Sequence, residues 1–241
     1  MNTPKDGFDL AGLGKLAKAI PAEVYNRTTK SVLTSFEKLI APITETTSGF
    51  GRYIRQKFDG MVEVEKAIAT YTLEEACAKA KAKAAELQVC TILPAHPKMF
   101  VKALEEGSKE TDPLLHQMWA SLLASQMLDG FCHPHFVEIL PHFSPSEAKL
   151  LVSLRDKNTV GANGGQFMSL DIDMFGHWIM HADDAEPKLW TLSCTLLYEF
   201  GFADLLAPDT PVELIDSLSY SRAPILYRTR SGEEFIKAVS V

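Results

Sequence analysis

Apolar residues recur at helical intervals along the first quarter of the chain. Between residues 24 and 58 they are mostly three, four or seven positions apart, which predicts helices with one apolar face. Pro42 and the pair Gly49 and Gly51 interrupt the pattern, so we predict two or three helices rather than one. A helix docked on a core and a helix lying on an anionic membrane both show this pattern, and we favour docking. The polar side carries Lys15, Lys18, Arg27, Lys30, Arg52, Arg55 and Lys57.

The centre of the chain predicts three further helices. Residues 72–88 combine strong helix formers with an acidic start, and their alternating Lys and Ala predict a solvated face. A second helix follows Pro97, and Gly107 is placed to end it. Asp112 and Pro113 have the residue types preferred at an N-cap and at the first helical position, so they predict the start of the third helix.

The third central helix has a broad apolar surface. Its small residues leave room for other helices to approach closely, and the Asp-Gly pair at 129–130 is expected to stop it. Its apolar stripe consists of Leu115, Met118, Trp119, Leu122, Leu123 and Met127, and its small residues are Ala120, Ser121, Ala124 and Ser125.

A corner between helices is predicted next. Pro134 suits the first turn of a short helix, and Pro141 limits its continuation. Ser144 and Glu147 have the spacing of a capping box, in which each side chain bonds the backbone of the other, so they predict the start of the following helix.

The last third of the chain predicts a mixed module. Residues 158–165 form a turn-rich break, and residues 168–186 are ambiguous. Residues 188–202 predict a buried helix, residues 223–228 a strand, and Thr229 the cap of a final helix. We therefore predict a mainly α fold with a basic amphipathic helical arm (1–58), a helical core (59–143) and a winged-helix-like C-terminal module with short β-strands (144–241).

Composition and charge narrow the class of protein. The 241 residues suffice for a sizeable core, and the four cysteines show no CxxC pairing, so we expect reduced thiols. No stretch is long and apolar enough to span a membrane, and the N-terminus lacks a signal-peptide pattern, so we expect a cytoplasmic protein. Residues 1–58 hold nine Lys and Arg against five Asp and Glu, whereas the remaining residues carry a net charge of −11. That acidic body argues against binding to nucleic acid.

Two clusters have the residue types of metal ligands. Cys132, His133, His135 and His142 lie within eleven positions, but adjacent side chains point apart and the prolines restrict wrapping, so we interpret them as caps and backbone contacts.

The second cluster contains His177, His181 and Asp183. On a helix the two histidines would share one face, yet Trp178 stands where the zinc-protease pattern HExxH requires Glu, so we favour a solvated or capping role. The motifs GxSxG, GxGxxG and the P-loop are absent. We predict neither enzymatic activity nor a cofactor. Arg222, Arg228 and Arg230 flank the predicted wing and would contact phosphates if it bound DNA.

Residues 107–154 resemble the signature of the abortive infection alpha (Abi-alpha) family of bacterial proteins. In that pattern an acidic N-cap and a helix rich in Trp, Ala, Leu and Met lead to "HPSFVEII" and then to "LSP" with a following Asp or Glu. The matching positions include Asp112, Trp119, Leu122, Leu123, Met127, His133, Pro134, Phe136, Glu138, Ser144, Pro145 and Glu147. The family's C-terminal spacing is matched by Thr229, Gly232, Phe235 and Ala238.

The resemblance implies a bacterial protein of phage defence, and it carries over no enzymatic mechanism. A non-enzymatic protein that binds a protein partner or itself is our first hypothesis. Residues 8–58 acting on an anionic membrane surface are the second. The third is a winged-helix regulator that binds nucleic acid.

Overall fold

A computed structural model describes residues 29–44, 48–88, 94, 96–128, 132–154, 169–172, 178–181, 188–189, 192–206 and 225–240. The described chain is mainly α, which confirms the predicted fold class. It separates into two compact units: residues 1–143 with 237–241, and residues 144–236. The predicted division into arm, core and C-terminal module stays a prediction.

Helices α1 (Thr29–Thr44) and α2 (Ser48–Asp59) begin the first unit, and α1 packs against α3 (Glu63–Leu87). The rings of Phe36 and Phe58 stack with centroids 3.6 Å apart, so the apolar faces of α1 and α2 meet inside the unit. The docked arrangement that we favoured is therefore the one observed. Five side chains on these faces are buried: Val32, Phe36, Ile40, Ile54 and Phe58.

The two described helices of this region agree with the prediction of two or three, although the residues expected to interrupt them lie within helices. Pro42 lies inside α1, and Gly49 and Gly51 lie inside α2. A helical glycine costs only about 1 kcal/mol relative to Ala, and burial of Ile54 and Phe58 on the same helix outweighs that cost.

The centre of the first unit consists of α3, α4 (Pro97–Gly107) and α5 (Pro113–Met127). Helix α3 is longer than predicted and begins at Glu63 rather than near residue 72. Helix α5 packs against both α3 and α4 and is buried on nearly every side. Its small residues allow this close approach, as expected from the sequence, and Ala76, Ala80 and Ala84 do the same on α3. A short helix α6 (Phe136–Ile139) and a 3₁₀ turn (Leu140–His142) follow, as the two prolines predicted.

The second unit contains α7 (Pro145–Ser153), α8 (Leu192–Glu199) and an antiparallel sheet. The strands are β1 (Ser169–Ile172), β2 (Trp178–His181), β3 (Lys188–Leu189), β4 (Ala203–Leu206) and β5 (Ile225–Arg228), in the order β3-β2-β1-β5-β4. Helix α9 (Arg230–Val239) starts in this unit, and its residues from Lys237 belong to the first.

Predictions for this unit were partly right. The strand β5 and the final helix are confirmed, whereas Lys188 and Leu189 lie in a strand rather than in the predicted buried helix. His181 also lies in a strand, so the shared helical face proposed for the second cluster is wrong at that residue. The winged-helix-like assignment stays a prediction.

Candidate functional site

The signature residues around α5 act as a cap and as core. Oδ1 of Asp112 accepts hydrogen bonds from the backbone N–H of Leu114 at 2.9 Å and of Leu115 at 3.2 Å, so it caps α5 as predicted. The apolar members are buried at 7% exposure or less: Trp119, Leu122, Leu123, Met127 and Phe136. This part of the signature specifies folding.

Ser144 and Glu147 form the predicted capping box at the start of α7. The Ser144 N–H donates to Glu147 Oε2 at 2.6 Å, and Ser144 Oγ accepts from the Ser146 N–H at 3.2 Å. The Ser193 hydroxyl on α8 donates to Glu147 Oε1 at 2.5 Å. Burial alone would raise the pKa of Glu147, but hydrogen bonds from Ser144 and Ser193 outweigh it and lower the pKa. Glu147 is therefore an ionised, buried link between α7 and α8.

The C-terminal signature residues are structural as well. Thr229 donates its hydroxyl to the Gly201 carbonyl at 2.6 Å and accepts from the Gly232 N–H at 3.1 Å, which caps α9. A β-carbon on Gly232 would collide with the Phe202 carbonyl oxygen, so only glycine fits there. Phe235 stacks on Phe202 with centroids 4.7 Å apart. Within the first unit, the Ala238 carbonyl accepts a bond from Ser125 Oγ at 2.7 Å.

The histidines of the corner make local contacts. His133 Nδ1 accepts from the His135 N–H at 3.2 Å, and His135 Nδ1 lies 3.5 Å from Glu138 Oε2. Burial raises the pKa of the Cys132 thiol to about 12, so this thiol stays protonated at neutral pH. Within the described ranges, no three Cys, His, Asp or Glu side chains converge as metal ligands would.

The second cluster and the predicted wing are only partly described. His177, Asp183 and Arg222 lie outside the described residues, so their proposed roles stay predictions. Arg228 ends β5 and is half-buried, whereas Arg230 begins α9 and is exposed.

Sequence reasoning missed a buried polar cluster between α3 and α5. His116 is 2% exposed, its Nε2 lies 2.8 Å from Thr72 Oγ1, and its Nδ1 lies 3.6 Å from Glu75 Oε2. The Tyr71 ring stacks on the imidazole at 5.3 Å, and its hydroxyl donates to Glu75 Oε1 at 2.8 Å. Burial lowers the pKa of His116, although Glu75 opposes that effect, so the imidazole is neutral at pH 7. No local motif marks the cluster, because 44 residues separate Thr72 from His116.

The Thr72 hydroxyl, His116 imidazole and Glu75 carboxylate follow one another as in a nucleophilic triad, but they cannot act as one. Thr72 is fully buried, and its hydroxyl donates to the Ile68 carbonyl at 2.8 Å, so a substrate could not reach the oxygen. The cluster instead provides hydrogen-bond partners for the buried side chains of Thr72 and His116 at the junction of α3 and α5.

An open groove lies between α2, the first turn of α4 and Pro134, which precedes α6 by two residues. We call it the α2–α4 groove; its volume is about 910 Å³, within the usual range of ligand sites. Its walls are mostly apolar, and Tyr53 is 43% exposed although it is a large aromatic side chain. The lining residues are Tyr53, His96, Pro97, Lys98, Met99 and Pro134. This groove is the candidate functional site.

One comparison with known proteins gives a family. The model described as abortive infection alpha matches residues 70–183. This part of the chain, 114 of its 241 residues, is similar to the abortive infection alpha family. The match confirms the resemblance read from the signature. No curated protein and no solved structure matches the chain.

The part matched to the abortive infection alpha family contains most of the groove. His96, Pro97, Lys98, Met99 and Pro134 lie within residues 70–183, whereas Tyr53 lies outside them. The buried cluster around His116 also lies within this part. The match suggests a role in abortive infection and indicates no mechanism.

Proposed function

We propose that this protein contributes to phage defence by binding a protein partner in the α2–α4 groove, without catalysing a reaction. The groove itself is the observation that supports the proposal. Exposed apolar surface bordered by polar groups is typical of interaction sites in folded proteins. Tyrosine is enriched at the centres of such interfaces, and Tyr53 stands on the wall of this groove.

A phage-challenge assay tests this proposal. Bacteria that express the intact chain are compared with bacteria that express Tyr53→Ala, which removes the aromatic wall. Leu33→Ala is the matched control, because Leu33 is also 43% exposed but lies on α1 and does not line the groove. We expect fewer plaques with the intact chain and with Leu33→Ala, and plaque counts near those of the empty vector with Tyr53→Ala. Equal protection by all three chains would refute a role for the groove.

The membrane and nucleic-acid alternatives stay predictions. A membrane role for residues 8–58 would have to use surface other than the apolar faces of α1 and α2, because Val32, Phe36 and Ile54 on those faces are already buried. Among the described helices, none is both long and apolar enough to cross a bilayer. Nucleic-acid binding by the predicted wing would depend on Arg222, Arg228 and Arg230.

A further inference from the structure

We propose that the α2–α4 groove binds an acidic segment of the partner, with one apolar side chain between Tyr53 and Met99 and a neighbouring carboxylate at Lys98. This inference rests on the proposed function and adds the chemistry of the ligand. It follows from the distribution of charge around an otherwise apolar site.

The described residues that line the groove carry a positive charge and no negative one. Lys98 is exposed and makes no hydrogen bond or ion pair with any residue that the structure describes. None of the six described lining residues carries a carboxylate. Complementarity therefore favours an anionic ligand over a cationic one.

Two carboxylates on the neighbouring helices α4 and α6 are paired with cations other than Lys98. Glu105 accepts from Lys57 at 3.2 Å. Glu138 accepts from Lys102 at 3.4 Å and lies 3.5 Å from His135. Lys98 therefore has no carboxylate partner among the described residues and is available to pair with a ligand.

The backbone of α4 adds to this positive field. Four of the six lining residues, 96 to 99, are the N-cap and first turn of an 11-residue helix, so the positive end of its dipole lies at the groove. The His96 side chain makes no capping hydrogen bond. The helix end alone would not identify a site, but here it adds to Lys98 on the wall of a groove.

The apolar walls account for the other half of the ligand. Tyr53, Met99 and two prolines form surfaces that gain free energy when an apolar side chain displaces water from them. The prolines have fixed backbones, and Met adapts to side chains of different shape. The groove should therefore select peptides in which an acidic residue stands next to an apolar one. The type of the apolar residue should matter less.

Peptide selection on the intact chain tests this inference. A displayed library of random 12-residue peptides is selected on the immobilised protein, and in parallel on Lys98→Glu and on Lys38→Glu. Lys38 is the matched control because it is an exposed lysine on α1 that does not line the groove. We expect peptides from the intact chain and from Lys38→Glu to be enriched in Asp and Glu beside an apolar residue. Lys98→Glu should lose that enrichment.

Binding is then located with the most enriched peptide. Its addition should shift the ¹³C-methyl signal of Met99, assigned by its loss in Met99→Leu. Affinity should fall at least tenfold when the peptide's Asp and Glu are changed to Asn and Gln. Failure to enrich acidic peptides, an unchanged preference in Lys98→Glu, or binding without a shift at Met99 would each overturn the inference. A dimer whose dissociation on dilution shifts the Met99 signal would also overturn the inference, because a second copy of the chain would then occupy the groove.

The two proposals fail in different ways. If Lys98→Glu loses acidic peptides but still protects against phage, the groove binds such segments and defence does not depend on them. If Tyr53→Ala abolishes protection while selection yields no acidic preference, the partner uses the groove through other chemistry.

Discussion

Gly107 on α4 lies directly against Trp119 on α5. A β-carbon on Gly107 would lie 3.2 Å from Trp119 Cβ and 3.3 Å from Cγ, closer than side chains normally pack. Trp119 is 2% exposed and belongs to the family signature. The glycine therefore allows the last turn of α4 to approach the largest side chain of the buried helix.

Gly107→Ala should destabilise the protein by about 1–3 kcal/mol, because the added methyl group forces Trp119 or the helix to move. Gly49→Ala is the control, because nothing lies within 4 Å of a β-carbon at that exposed helical position. There the alanine should be neutral or stabilise by up to about 1 kcal/mol. Urea unfolding followed by circular dichroism measures both changes. Equal stability of the two variants would contradict the role assigned to Gly107.

Asp112→Ala should lower the free energy of unfolding by about 0.5–2 kcal/mol, because two N–H groups at the start of α5 lose their acceptor. Asp112→Asn keeps a side-chain oxygen in place and should lose much less. Urea unfolding compares the two variants with the parent. A loss of the same size in both would mean that the negative charge, rather than the cap, stabilises the helix.

Local chemistry made several elements predictable from the sequence. The capping side chains of Asp112 and Glu147 bond backbone N–H groups no more than three positions away. Such short spacings are visible in the sequence, so the residue pattern alone indicates where each helix starts. Gly107 was expected to end α4, and α4 does end at that residue. Its φ is not positive, unlike that of Gly201, and the absence of a side chain at Gly107 serves close packing.

The candidate site was not predictable in the same way. Its walls come from residues 53, 96–99 and 134, which the fold brings together from three separate segments. None of the segments shows a motif, and Lys98 resembles any surface lysine until Glu105 and Glu138 are seen to pair with other cations. The His116 cluster was missed because its members belong to two helices that are far apart in sequence, and no local motif links them.

Acidification should destabilise the protein through His116. Burial lowers its pKa in the folded state below the ordinary value of 6.5, so the unfolded chain takes up the proton first as the pH falls through 6.5. The free energy of unfolding should decrease until the pH reaches the lower, folded pKa, and His116→Gln should lack this part of the pH dependence. Urea midpoints at pH 7.5 and 5.5 measure the effect. If the parent and the variant lose equal stability, another group is responsible.

Glu75→Gln should lower the pKa of His116 further, because the Glu75 carboxylate is the charge that favours the imidazolium. The imidazole signals followed by NMR between pH 7.5 and 4.5 report this pKa directly, with His116→Gln providing the assignment. Glu37→Gln, which removes an exposed carboxylate on α1, is the control and should leave the His116 titration unchanged. An upward shift in Glu75→Gln would contradict the assigned contact.

Glu147 should make the second unit sensitive to stronger acid. Its pKa in the folded state lies below the ordinary 4.5, because Ser144 and Ser193 hydrogen-bond to the ionised carboxylate. Its stabilising contribution is therefore complete above pH 4.5 and is lost as the pH falls through the folded pKa. Glu147→Gln should cost about 1–3 kcal/mol at pH 7 and show a flatter decline in stability below pH 4.5.

Ser193→Ala removes the donor on α8 and should raise the pKa of Glu147, so its acid unfolding should begin at higher pH than in the parent. Acid unfolding curves of the parent, Glu147→Gln and Ser193→Ala test both expectations. Parallel curves would show that Glu147 is not the titrating group.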